Sequence, residues 1–186
     1  MAADGFPRIV SLACHDLRTP LATVYGFART LSRTGDLDER SARFLGMIEQ
    51  ASEQMTELLD ELGTAARIAG GRWEPTVRQV DTRSLAETDD ERVVVEGAGT
   101  TIDTEADAVA RSLRALAIAA IRFGPAEKVR WLVEERELRL SPITADAAPV
   151  VTGAEVRDLG SIVARLVVEE LGGAVELDGD TLVVRL

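Results

Sequence analysis

One stretch concentrates side chains that could do chemistry, residues 11–21, SLACHDLRTPL. His15 is the only histidine in the chain, and a neutral imidazole nitrogen is a competent nucleophile near neutral pH. On a helix His15 and Thr19 stand four apart on one face, with Asp16 beside the histidine and Arg18 three residues beyond it. A flanking carboxylate can hold one ring N–H and steady the positive charge that develops as the other nitrogen attacks. Pro20 removes a backbone donor from an apolar-periodic helix and should bend it about one turn past the histidine. Position 15 falls outside the stripe of Leu12, Leu17, Leu21 and Val24, so the ring is expected to face water. Cys14 is the single cysteine. It has no internal disulfide partner and no basic neighbour on its own face, and it reads as a packing residue suited to a reducing compartment. One histidine and one cysteine also rule out a structural zinc cluster.

The elements that must position these residues are long helices. A first helix over about 7–33 carries Ile9, Leu12, Leu17, Leu21, Val24, Ala28 and Leu31, and the turn Thr34-Gly35-Asp36 folds it back on a second. In that second helix, about 38–69, Phe44, Ile48, Ala51, Met55, Leu58, Leu62, Ala65 and Ala69 recur with alternating spacings of four and three, a coiled-coil-like seam. It should extend roughly 48 Å, capped by Asp36 or Asp38 and stopped at Gly70. Two such helices cannot cover their apolar stripes alone. Pairing two hairpins into a four-helix bundle is the simplest closed solution, and cover by the C-terminal part of the same chain is the alternative.

After the turn-forming segment near Gly70-Gly71 the pattern changes. Residues 92–96, 128–134, 137–140, 174–177 and 181–186 have strand character, the last two joined by Asp178-Gly179-Asp180, a hairpin signal. Helices are expected over 106–123 and 158–171. We therefore expect an α + α/β protein: a helical hairpin over 1–70, a linker over 71–76, and over 77–186 a small α/β sandwich with helices on one face of a mixed sheet. The chain has 186 residues, and a formal charge of -11 opposes a grip on nucleic acid. No apolar run is long enough for a membrane span, which fits a cytoplasmic protein.

The segment HDLRTPL, residues 15–21, resembles the H-box of two-component sensor histidine kinases. In that family the dimerisation and phosphotransfer domain is a helical hairpin that pairs into a four-helix bundle, and the resemblance extends over nearly the whole chain. It implies that His15 carries a phosphoryl group, that Asp16 handles the ring proton, and that Thr19 positions water when a partner is dephosphorylated. Pro20 bends the helix and, with Arg18, lines the face on which a partner docks. The implied partners are response-regulator receiver domains and a second copy of the chain.

Residues 77–186 resemble the family's ATP-binding domain, with departures. Ala119, preceded by Ile118, stands where the family has an asparagine for Mg²⁺. SPITADAAPVVTG replaces the Asp-x-Gly-x-Gly segment; Asp146 comes late, and glycine first appears at Gly153. The last glycine box is reduced to DLGS with Gly160, and Asp158 puts negative charge where phosphate would lie. SIVARLVVEELGGAVEL follows the closing helix and strand. The combination implies a histidine phosphotransferase with a degenerate ATPase-like domain, relaying phosphoryl groups between receiver aspartates. It would need no cofactor of its own, with Mg²⁺ supplied by the receiver. The alternatives are a kinase that uses ATP through divergent boxes and a non-catalytic pseudokinase binding module. A start only fourteen residues before His15 leaves little room for an input domain. Arg29 and Arg33 could also face an acidic partner, Tyr25 and Phe27 read as core with one of them free for a partner, and Trp73 and Trp131 as anchors of linker and sheet.

Overall fold

A computed structural model describes residues 5–186. The chain forms two compact units, one ending at Trp73 and one spanning Glu74–Leu186.

The first unit is an antiparallel hairpin of α1 (Gly5–Thr34) and α2 (Glu39–Ala69). Asp38 starts α2 by accepting the Ser41 amide at 2.7 Å. That bond lowers its carboxyl below the usual range. Gly35 makes the turn possible, because a Cβ there would lie 2.7 Å from the Leu31 carbonyl oxygen. At the far end the Gly70 amide donates to the Ala66 carbonyl.

The helices meet through small side chains. Cys14, Leu21 and Ala28 are the buried residues of α1, and Ser52, Gly63, Thr64 and Ala66 those of α2. This corrects the grouping expected from periodicity. Leu21 is buried in the hairpin, whereas its supposed stripe mates Leu12, Leu17 and Val24 stay exposed. On α2 the apolar repeat lies beside the hairpin contact, with Phe44, Ile48, Met55, Leu58 and Leu62 all exposed within the single chain. Small side chains let two helix backbones approach closely, so they win the contact between helices and leave the large ones facing outward.

The second unit carries two sheets. Strands β1 (Arg78–Asp81) and β3 (Thr101–Thr104) form an antiparallel pair. The larger, five-stranded sheet comprises β2 (Val93–Gly99), β4 (Val129–Glu135), β5 (Glu137–Ser141), β6 (Ala174–Asp178) and β7 (Thr181–Arg185). Its order is β2-β4-β5-β7-β6, with β2 and β4 parallel and the other neighbours antiparallel. Gly97 is required in β2, since a Cβ would lie 2.1 Å from the Val133 carbonyl oxygen and its φ is +92°. The short helices α3 (Thr82–Ala86) and α5 (Ala148–Val151) and the longer α4 (Ala106–Phe123) and α6 (Leu159–Glu170) complete the unit. The inward face of the sheet, including Val129, Trp131, Val133, Leu138, Leu140 and Leu182, packs in one core with Val109, Leu113 and Leu116 of α4 and Ala164 and Val168 of α6. The outward positions carry an ion-pair ladder. Arg185 bridges Glu176 at 2.6 Å and Glu137 at 3.0 Å, and Arg139 bridges Glu137 and Glu134. The Arg185 guanidinium is the largest cause holding the Glu137 carboxyl low.

Two bonds tie the small sheet to the large one. The fully buried Thr82 hydroxyl donates to the Glu135 carbonyl at 2.6 Å and accepts the Thr100 amide at 3.0 Å. Thr82→Val keeps the shape but removes both hydrogen bonds from the buried hydroxyl, and should lower stability by about 1 kcal/mol. Urea unfolding followed by Trp131 fluorescence in a Trp73→Phe background measures this.

Asp90 provides a pH-dependent contribution. Two side-chain bonds from Arg92, at 2.7 and 2.9 Å, and the Arg92 amide at 3.0 Å lower its carboxyl from 3.8 to about 2. A carboxyl depressed by folding stabilises the native state above the ordinary value, and that contribution is lost as pH falls through the folded one. Asp90→Asn should therefore flatten the stability profile of the second unit between about 4 and about 2. Urea midpoints measured across that range check it.

Candidate functional site

The burial of Cys14 orients the site. Cys14 is 3% exposed, and its Cβ lies 3.9 Å from the point where Gly63 of α2 would carry its own. With that residue turned into the hairpin, the next one along α1 turns about 100° away from it. The His15 side chain is 76% exposed. Its Nδ1 sits 3.1 Å from Asp16 Oδ1. A carboxylate only accepts, so in this contact Nδ1 donates, and in the neutral ring that tautomer leaves the lone pair on Nε2.

The other residues singled out in the sequence fall around this ring. Thr19 and Pro20 are exposed, and α1 continues through Pro20 to Thr34. Having no N–H, Pro20 leaves the Asp16 carbonyl without its usual helical donor. Arg18 is ion-paired across the hairpin with Asp60 of α2. The structure thus brings His15 and Asp16 into contact and places Thr19 one turn on, while Arg18 is engaged by the neighbouring helix. A second link across the hairpin, from the Tyr25 hydroxyl to Glu53 Oε1 at 2.9 Å, was not anticipated from sequence. Moving seven residues along α1 from Arg18 to Tyr25 moves the partner seven residues back along α2, from Asp60 to Glu53, as an antiparallel hairpin of fixed register demands.

Residues 8–71 match the family "His Kinase A (phospho-acceptor) domain". The helical unit is therefore similar to the phospho-acceptor domain of histidine kinases. In this phospho-acceptor domain the chain is similar to the probable sensor histidine kinase TcrY of Mycobacterium tuberculosis (strain ATCC 25618 / H37Rv), 35% identical over 65 residues. That match covers 35% of this chain and 14% of the relative. Two solved structures share the fold. Full-length ShkA in complex with AMPPNP has a TM-score of 0.69 at 21% identity, over 96% of this chain and 44% of the other. The Acinetobacter baumannii histidine kinase AdeS has 0.56 at 20% identity, over 91% and 94%. The phospho-acceptor hairpin is thus followed by a mixed-sheet α/β unit like the ATPase domains of histidine kinases. No helix among the described residues is long and apolar enough to cross a membrane.

In the second unit, three positions singled out in the sequence are filled by the chain's own groups. Ala119 is 1% exposed in the core face of α4 and presents only a methyl group. The segment replacing the glycine-rich stretch forms α5, whose Val150 and Val151 are fully buried. At the start of α6 the Ser161 amide already donates to Asp158 Oδ1 at 2.8 Å, and Asp158 Oδ2 accepts from Arg122 at 3.2 Å. One donor at this helix end, the Ser161 amide, is thus held by the chain's own carboxylate.

The exposure of His15 in the phospho-acceptor domain has a direct chemical readout. Diethyl pyrocarbonate should modify one imidazole per native chain at the rate found in the urea-unfolded chain. Strong protection in the native state would show that the ring does not face water.

Proposed function

We propose that this chain is a dimeric histidine phosphotransferase that carries phosphoryl groups between the aspartates of response-regulator receiver domains. The observation that carries the reading is a contrast. An imidazole with a free Nε2 stands in water at His15, while the second unit meets the family's nucleotide positions with a buried methyl, buried valines and its own carboxylate.

The step follows from the ring geometry. The Nε2 lone pair of His15 attacks the phosphorus of a receiver's aspartyl phosphate in line with the bond to the carboxylate oxygen. The N–P bond forms, the O–P bond breaks, and the aspartate leaves as a carboxylate. Asp16 keeps the Nδ1 proton and offsets the ring's positive charge. Attack by a second receiver's carboxylate oxygen on the same phosphorus reverses the sequence and restores the neutral ring. The receiver brings the Mg²⁺ that stabilises charge on the phosphoryl oxygens, and this chain supplies no cofactor. Thr19, one turn beyond His15, is placed to orient a water for dephosphorylation, and Pro20 opens backbone room for the incoming loop.

The apolar faces left open on both helices support dimerisation, with Ile9 64% and Phe27 67% exposed on α1 and Leu58 51% on α2. Residues 1–70 would form half of the bundle, 71–76 a linker, and 77–186 a scaffold descended from an ATPase domain.

The test uses a receiver domain phosphorylated with labelled phosphate. Label should pass to the parent chain as an acid-labile, base-stable adduct and be absent in His15→Ala. Asp16→Asn should slow transfer by about tenfold or more. Saturating receiver with no adduct on the parent chain would overturn the reading in favour of a non-catalytic binding module.

A further inference from the structure

We propose that Arg67 of α2 is the cation that receives the phosphoryl group once it is on His15, and that Thr64 is the positioning residue that holds Arg67 there. The proposal rests on the phosphotransfer reading only for the origin of the phosphoryl group; the site itself is argued from the register and side chains of the hairpin.

Register brings Arg67 to the histidine. Arg18 bonds to Asp60 and Tyr25 to Glu53, so three residues back along α1, to His15, correspond to three residues forward along α2, to Gly63. The approach of Cys14 to Gly63 fixes the same level. One further step along each chain leads to His15 on α1 and Thr64 on α2. Because the helices are antiparallel, that step turns both residues toward the same side of the hairpin. Arg67 starts four residues past Gly63, about 6 Å along the axis, and its side chain runs back over that distance. Its Nη1 lies 3.4 Å from where Gly63 would carry a Cβ, the point from which the Cys14 Cβ lies 3.9 Å. Its Nη2 donates to the Thr64 hydroxyl at 3.0 Å. The guanidinium and the residue before His15 therefore share one contact point.

An arginine in the last turn of a helix ordinarily serves the C-terminal carbonyls. Arg67 points the other way, and those carbonyls have other partners: the amides of Gly70, Gly71 and Arg72 donate to Ala66, Ile68 and Arg67. Its charge is not neutralised either. No carboxylate among the described residues pairs with Arg67, although the chain has 32 acidic residues.

Two neighbours maintain the arrangement. Glycine inside a helix costs about 1 kcal/mol relative to alanine, and Gly63 leaves bare backbone against which the guanidinium lies. Thr64 is 7% exposed. The hydroxyls of Thr23, Thr30, Thr34 and Thr56 donate to the carbonyl four residues earlier, whereas that of Thr64 accepts from Arg67.

The chemistry calls for such a cation. A phosphoryl group on the ring brings close to two negative charges beside the Asp16 carboxylate, which already contacts Nδ1. Arg18, three residues along α1, is bound to Asp60. The guanidinium of Arg67 has N–H donors beyond the one given to Thr64, in a planar fork that matches phosphoryl oxygens.

The experiment phosphorylates His15 of the full chain with phosphoramidate, which gives its phosphoryl group to the ring and releases ammonia, and follows the adduct by phosphorus NMR across pH. A cation beside the phosphoryl group favours its dianion. The parent adduct should therefore lose its last proton at a pH lower by about half a unit or more than the Arg67→Gln adduct. Arg67→Lys should keep part of that difference and Thr64→Val should lose part of it. Arg40→Ala/Arg43→Ala, at the other end of α2, should leave the titration unchanged. With a labelled phosphorylated receiver, the equilibrium share of label on His15 should fall about threefold to tenfold in Arg67→Gln. Coincident titrations of the parent and Arg67→Gln adducts would overturn the role of Arg67 and leave the carrier standing. An Arg67-dependent titration with no transfer from any receiver would support Arg67 and overturn the carrier. Failure of phosphoramidate to modify His15 would overturn both.

Discussion

The contact between α1 and α2 through small side chains is the constraint on which the rest depends. Cys14, Leu21 and Ala28 on α1 and Ser52, Gly63 and Ala66 on α2 are buried in the hairpin, and all but Leu21 are small enough to let the backbones come close. Once this seam fixes the rotation of α1 about its axis, two other faces are fixed with it. One carries the large apolar residues Ile9, Leu12, Val24 and Phe27. The other carries His15, Thr19, Gly26 and Arg33. A larger residue at position 14 or 63 would roll the helix and move both faces, so the exposure of the imidazole is a consequence of packing at its neighbours.

The same logic separates the two units chemically. The hairpin has reactive and apolar surfaces left unsatisfied within one chain. The α/β unit satisfies its own groups instead: Thr82 ties its two sheets together, Asp158 caps α6 and holds Arg122, and an ion-pair ladder covers the outward face of the large sheet. In this unit the chain's own carboxylate caps a helix N-terminus and valines fill the interior, the features on which the proposed scaffold role rests.

Much of this was legible in the sequence, for identifiable reasons. The long helices declare themselves through sustained periodicity, the turn through Thr34-Gly35-Asp36, and the last hairpin through Asp178-Gly179-Asp180. The position of His15 off the apolar stripe was also readable. Which apolar residues pair within the hairpin was not, because hydrophobicity highlights Phe44, Met55 and Leu58, whereas contact between the helices went to serine, glycine and alanine. The strands β1 and β3 escaped notice because each is four residues long with one apolar residue facing inward, Val80 against Ile102. Helix α5 was hidden by Pro149 and by its length of four residues. The Arg18–Asp60 and Tyr25–Glu53 links depend on the register of the hairpin, which periodicity alone does not supply.

The central claim is that the phosphoryl group on His15 comes from an aspartyl phosphate and not from a nucleotide. The most direct measurement offers the intact chain both sources in parallel, labelled ATP with Mg²⁺ in one reaction and a labelled phosphoreceiver in the other, and maps any adduct by mass spectrometry. The account predicts label on His15 from the receiver and none from ATP over the same interval. Time-dependent labelling of His15 by ATP, lost in His15→Ala, would contradict it.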